Sequence, residues 1–162
     1  MKVLKFPHLD LFRAGDLVTE FDTELKVLLD NMYRTMQSNN GIGLAANQVG
    51  LPHKMFVMEG LESKLYIINP VILQSSMVTA LFQEGCLSAP GEVVVTGSRR
   101  EWVEVQYNDE KGETFRSVFS GIHSVCVQHE IEHLEGKSFM ESKTIPKAIR
   151  KQLAKKWGFT LE

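Results

Sequence analysis

Gln128-His129-Glu130-Ile131-Glu132-His133 sets two histidines four residues apart, with a glutamate directly after the first. On a helix, residues i and i+4 lie one turn apart on one face, so both imidazoles can reach a single ion. Glu130 can then lie beside a water held by that ion, a pattern that points to metal-assisted hydrolysis of a carbonyl compound. The same stretch locates a helix from near Gly121 or Ile122 to about Leu134, with Gly136 placed to stop it. Taken alone, the spacing also suits an ordinary solvated helix face, so the rest of the chain has to decide.

Outward from this helix, strand-like segments fill the middle of the chain. Residues 54–58, 65–69, 93–96, 102–107 and 114–119 are rich in β-branched and aromatic side chains. Asn108-Asp109-Glu110-Lys111-Gly112 reads as a turn that joins the last two into a hairpin. Earlier, Asp22 can cap a helix from about Thr23 to Gln37, whose Leu25, Leu28, Leu29, Met32 and Met36 recur at helical spacing. Asn39-Asn40-Gly41 ends it. Pro146 opens a last amphipathic helix to about Trp157, followed by Gly158. Its Lys147, Arg150, Lys151, Lys155 and Lys156 read first as a solvated face, with weak ribosome or RNA contact as the alternative.

Bulk properties bound the class. The chain has 162 residues, a length that suits one domain spanning 1–162 around one core. Hydrophobic residues make up 43% and charged residues 23%, as in soluble globular proteins. A net charge of −2 argues against general affinity for nucleic acid or anionic membrane. Apolar runs such as Leu65–Ile68 are too short to span a bilayer. No long apolar segment followed by a small-residue cleavage site stands near Met1, so a cytoplasmic location is expected. The two cysteines, Cys86 and Cys126, make no disulfide framework; they read as reduced thiols, or as one core thiol and one metal ligand.

A catalytic site of this kind needs a third protein ligand and an open position. Cys126 and His133 are seven residues apart, roughly 10.5 Å along a helix, too far for a short thiolate to share an ion with both histidines. Cys126 therefore reads as a core thiol. Cys86 is the better choice, in Glu84-Gly85-Cys86-Leu87-Ser88-Ala89-Pro90-Gly91, an irregular glycine- and proline-shaped segment beside the expected strands. A third segment, Gly41-Ile42-Gly43-Leu44-Ala45-Ala46-Asn47-Gln48-Val49-Gly50, lacks the lysine and spacing of a phosphate-binding loop. It suits close backbone packing, or an edge that pairs with an extended peptide while Gln48 points its carboxamide into a site.

Together these three segments resemble the peptide deformylases. That family carries a G-I-G-L-A-A-x-Q segment, then E-G-C-L-S, then Q-H-E-x-D-H-L-x-G; here they read Gly41 to Gln48, Glu84 to Ser88 and Gln128 to Gly136. The resemblance covers essentially the whole chain and fits the bacterial-type enzymes. It implies an α+β fold, with antiparallel strands around a central metal-bearing helix flanked by an N-terminal and a C-terminal helix. It implies that Cys86, His129 and His133 hold one divalent metal, ferrous iron natively, with zinc, nickel or cobalt as substitutes. Glu130 would be the general base and acid. Gln48 and the backbone N–H of Leu87 would stabilise the oxyanion. Ile42, Gly43, Leu44 and Gly85 would bind substrate. The implied reaction removes the formyl group from the N-terminal formylmethionine of nascent chains. The basic cluster of the last helix leaves a transient ribosome contact open, and the net charge points to neither membrane nor specific nucleic acid as partner.

Two departures qualify the likeness. Glu132 stands where the family usually has Asp, which lengthens the arm of an ion pair to Arg99 or Arg100. Many bacterial members also carry an arginine after the cysteine segment, where this chain reads Glu92-Val93-Val94-Val95. Three alternatives follow: a related hydrolase with altered acyl preference, a zinc endopeptidase, or a metal-stabilised binding protein without turnover. The upstream cysteine speaks against the endopeptidase. Glu130 and Gln48 speak against a purely structural site.

Overall fold

A computed structural model describes residues 1–161. Its helices are α1 (Thr23–Ser38), α2 (Gly121–Leu134) and α3 (Lys147–Trp157). Its strands are β1 (Gly43–Ala45), β2 (Met55–Glu59), β3 (Lys64–Ser75), β4 (Thr79–Cys86), β5 (Ala89–Arg100), β6 (Trp102–Asn108) and β7 (Thr114–Ser120). One antiparallel sheet runs β1-β2-β3-β6-β7, and β4 and β5 form a separate two-stranded sheet. No helix among the described residues is long and apolar enough to cross a membrane.

The α+β expectation holds, and the burial pattern explains the layering. Along β2, Met55 and Val57 pack with Leu29, Met32 and Met36 of α1, whereas Phe56 and Met58 pack with Val127 and Ile131 of α2. Successive strand residues face opposite sides, so a strand covered on both faces must be apolar throughout. Fully burying one such side chain stabilises the fold by about 1.5–3 kcal/mol. A third cluster joins Phe6 and Leu11 to Ala89 and Val94 of β5, to Phe139 between α2 and α3, and to Leu153 of α3.

The ends of the helices follow local chemistry. The Asp22 carboxylate accepts the Leu25 N–H at 2.9 Å and caps α1. At the other end Asn40, with φ of 58°, takes the left-handed conformation, and the Gly41 N–H closes onto the Met36 carbonyl at 2.9 Å. Gly136 stops α2 at φ of 75°, where a Cβ would stand 2.6 Å from the Phe12 carbonyl oxygen.

The segment expected to be irregular before Gly91 is instead a hairpin. β4 runs into Cys86, which pairs with Ala89 across a two-residue turn of Leu87 and Ser88. The sequence hides β4 because its burial is inverted: Leu81 is exposed and Glu84 is buried.

Candidate metal centre and substrate cleft

Helix α2 is buried almost all round, so its polar side chains need partners. Gln128 accepts the Arg100 N–H at 3.0 Å and donates to the Arg100 carbonyl at 2.9 Å, which pins α2 to the end of β5. His129 follows directly, and His133 lies one turn on with its ring centroid 4.9 Å from that of His129. The Cys86 sulfur, delivered by β4, sits 3.2 Å from His133 Nε2. Candidate ligand atoms of Cys86, His129 and His133 all fall within 4.8 Å of one another. Cys126 is not in this group: its Sγ lies 3.8 Å from the Ile42 carbonyl, and burial pushes its thiol well above the usual range.

This donor set fits a divalent ion of borderline softness: one thiolate and two imidazoles, largely withdrawn from solvent, with no fourth His, Cys, Asp or Glu among the described residues joining the group. Burial, then the charges of His129 and Arg99, hold His133 well below the usual imidazole range. Burial also disfavours a charged His129, but its contacts with Cys86 and Glu84 outweigh that and raise it. Glu84 Oε1 lies 3.0 Å from His129 Nδ1, leaving Nε2 free to face the sulfur.

Glu84 is itself held by Arg99, whose Nε and Nη2 reach its two oxygens at 2.9 and 2.8 Å, and by the Thr96 hydroxyl. Burial opposes ionisation of Glu84, yet the bonds from His129 and Arg99 bring its carboxyl down to about 2. Arg99 also reaches Glu132 at 2.6 and 3.0 Å. The longer arm at position 132 therefore pairs with Arg99, while Arg100 uses its backbone to hold Gln128.

Glu130 is 4% exposed, and its Oε2 has no hydrogen-bond partner among the described residues. Burial pushes its carboxyl up to about 7, against the pull of His129 and Arg99. Its other oxygen faces β1, where a Cβ on Gly43 would lie 2.7 Å from Oε1 and 2.7 Å from the Cys126 sulfur. Glycine at 43 is thus a requirement of close approach. These groups, with Ile42, Gln48 and Gly85, line a cavity of about 530 Å³.

The sheet register shows what β1 offers. The Glu59 N–H bonds the Ile42 carbonyl, and Leu44 pairs with Val57. Antiparallel alternation then turns the Gly43 N–H and C=O to the open edge, facing away from β2. Leu44 does not join the cavity: its side chain is fully buried in the α1 layer. Leu87, in the hairpin turn, does line it. At the far rim, where an arginine was missed in the sequence, Glu92 accepts from Lys156 Nζ at 2.7 Å and Trp157 Nε1 at 3.2 Å. Those bonds hold its carboxyl below the usual range. The roles of Glu84 and Glu92, and the bonds from Arg99 to Glu84, escaped sequence reading, which had Arg99 only as a partner of Glu132; the glutamate next to Gly85-Cys86 was the one available hint.

Comparison with known proteins agrees with this geometry. Residues 1–148 match the family model described as polypeptide deformylase. The peptide deformylase of Phenylobacterium zucineum is 39% identical over 160 residues, covering 96% of this chain and 93% of that protein. That of Neisseria meningitidis is 38% identical over 144 residues, covering 87% and 85%. Among solved structures, a Synechococcus elongatus peptide deformylase in complex with actinonin superposes with a TM-score of 0.89 at 34% identity, covering 98% of this chain and 86% of that one. A Legionella pneumophila peptide deformylase gives 0.88 at 32% identity, with 97% and 92% covered. With its metal-ligand cluster, its buried glutamate and this match along most of its length, the chain belongs to the polypeptide deformylase family.

Proposed function

We propose that this enzyme removes the formyl group from the N-terminal formylmethionine of nascent chains, with Cys86, His129 and His133 holding one divalent metal. The observation that carries the reading is the convergence of one sulfur and two imidazoles beside a buried glutamate at the floor of a cleft. Ferrous iron is the native ion in this proposal, with zinc, nickel or cobalt able to replace it, because a thiolate with two imidazoles accepts all of these. When bound, such an ion supplies Lewis acidity that makes a water acidic near pH ~7 and polarises a carbonyl.

The chain's own groups do the rest. The peptide enters extended and pairs with the Gly43 N–H and C=O on the open edge of β1, beside Ile42 and with Gly85 opposite; Leu44 supports that edge from beneath. Glu130 takes a proton from the attacking water as the new C–O bond forms. It then delivers that proton to the departing amine as the C–N bond breaks, leaving formate and a free N-terminus. A buried carboxyl with one free oxygen and a proton affinity near neutrality suits both transfers. Gln48 and the Leu87 N–H stabilise the tetrahedral oxyanion, each worth about 2.7–4 kcal/mol of barrier. The enzyme acts in the cytoplasm, where such chains emerge, and the exposed lysines of α3 make a transient contact with the ribosome.

Formate release from N-formyl, N-acetyl and longer N-acyl methionyl peptides, measured anaerobically with metal content on the same sample, tests the proposal. Preference for the formyl peptide is expected. Preference for a longer acyl group, or cleavage of internal peptide bonds, would overturn it.

A further inference from the structure

Ser88 is completely buried in the turn after Cys86, and the chemistry above gives it no task. Its Oγ accepts from Gln48 Nε2 at 3.1 Å. The same Nε2 lies 3.4 Å from the Cys86 sulfur. At the other end of the carboxamide, Oε1 accepts the Ala45 N–H at 2.9 Å. A backbone N–H can only donate, so this bond fixes which end of Gln48 is oxygen and which is nitrogen. The N-terminal segment locks both partners: the Leu4 N–H bonds the Gln48 carbonyl at 2.7 Å and the Phe6 N–H bonds the Ser88 carbonyl at 3.0 Å. The amide plane is thus set by a backbone donor on one side and a buried hydroxyl on the other. A planar amide carries two N–H bonds. With one directed to Ser88, the other is turned towards the sulfur.

We propose that Ser88 is a positioning residue that aims the Gln48 carboxamide at Cys86, and that the resulting N–H···S contact tunes this sulfur as a metal donor. A hydrogen bond to a ligating sulfur draws electron density from it and weakens its donation, as hydrogen bonds around metal–sulfur centres do generally. Gln48 then acts on the centre before any substrate arrives, and the N–H that faces the sulfur is the one it turns to the oxyanion as that charge forms. The inference rests on Cys86 being a metal ligand.

Absorption spectra of the cobalt(II)-loaded protein test it, because the sulfur-to-cobalt charge-transfer band reports electron density on the sulfur. Wild type, Ser88→Ala, Gln48→Leu and the double variant are compared at one cobalt per chain. The band is expected at lower energy in Ser88→Ala and lower still in Gln48→Leu, with no further shift in the double variant. A Ser88→Ala band at the wild-type position would overturn the proposal, as would a Ser88→Ala shift that persists in the Gln48→Leu background. Ser88→Ala removes one oxygen from a turn held by main-chain bonds, and it decides the case alone should Gln48→Leu fail to fold. A wild-type cobalt protein with no sulfur-to-metal band would overturn the ligand role of Cys86 and this inference with it. That failure is distinct from a band present but unmoved.

Discussion

Replacing Arg99 with Met isolates the electrostatic support of the metal centre. The guanidinium is 3% exposed and lies between Glu84, also 3% exposed at its side chain, and Glu132, at 34%. In Arg99→Met, Glu84 stays buried with only His129 and Thr96 beside it. Stranding one member of a buried ion pair costs about 3–5 kcal/mol. At ~2–4 °C per kcal/mol for a chain of this size, that is a fall in Tm of about 6–20 °C. Glu132→Gln removes only the solvent-facing end, so its cost should be about 0–1 kcal/mol. In Arg99→Met/Glu84→Gln, a neutral amide no longer needs a counter-charge, and part of the loss returns. Urea unfolding of all four proteins at saturating zinc measures these differences. Chelator competition gives a second readout, because His129 loses a well-oriented charged acceptor and metal affinity should drop about 10–100-fold. Arg99→Met within 1 kcal/mol of the parent, or Glu132→Gln as harmful as Arg99→Met, would refute the reasoning.

Glu130→Gln should keep one metal per chain and lose about 10²–10⁴-fold in kcat, read from formate release on metal-quantified protein. Gly43→Ala places a methyl 2.7 Å from both Glu130 Oε1 and the Cys126 sulfur. It should lower stability by about 1–3 kcal/mol and reduce kcat, and Cys126→Ala should restore part of the stability but not the turnover. Asp30 offers a pH test away from the site. The Tyr66 hydroxyl, then Lys26, hold its carboxyl below the usual value, against a smaller effect of burial. A depressed folded pKa contributes stability that is fully present above the unfolded value of ~3.9 and is lost as pH falls through the folded one. Asp30→Asn should therefore cost about 1 kcal/mol at pH 7 and much less near pH 2, measured by urea unfolding at both pH values.

What could be read from the chain was what repeats locally. The helix expected over 23–37 ends one residue later, at Ser38, because its apolar period and its Asp22 cap are both in the sequence. The spacing of His129 and His133 survives translation into space, since one helical turn fixes it. Cys86 was reachable because Cys126 fails on distance along that helix. By contrast β4 carries no period-2 signal: its outward Leu81 and inward Glu84 reverse the usual pattern, and Glu84 is inside because Arg99 and His129 are there to meet it. Such pairings join residues distant in sequence and leave no local trace. The same holds for Glu92, whose partners Lys156 and Trp157 come from the far end of the chain. Leu44 shows another limit of local reading: the motif does not tell which of its side chains turn inward, and in a strand of three residues Leu44 packs into the core.

X-ray absorption at the metal edge of anaerobically purified protein tests the ligand set most directly. One ion per chain is expected, with one sulfur at ~2.3 Å and two imidazole nitrogens at ~2.0–2.1 Å for zinc. That shell should lose its sulfur in Cys86→Ala and keep it in Cys126→Ala. A shell without sulfur in the parent protein, or one that loses its sulfur with Cys126, would contradict the assignment of Cys86, His129 and His133 as the metal centre.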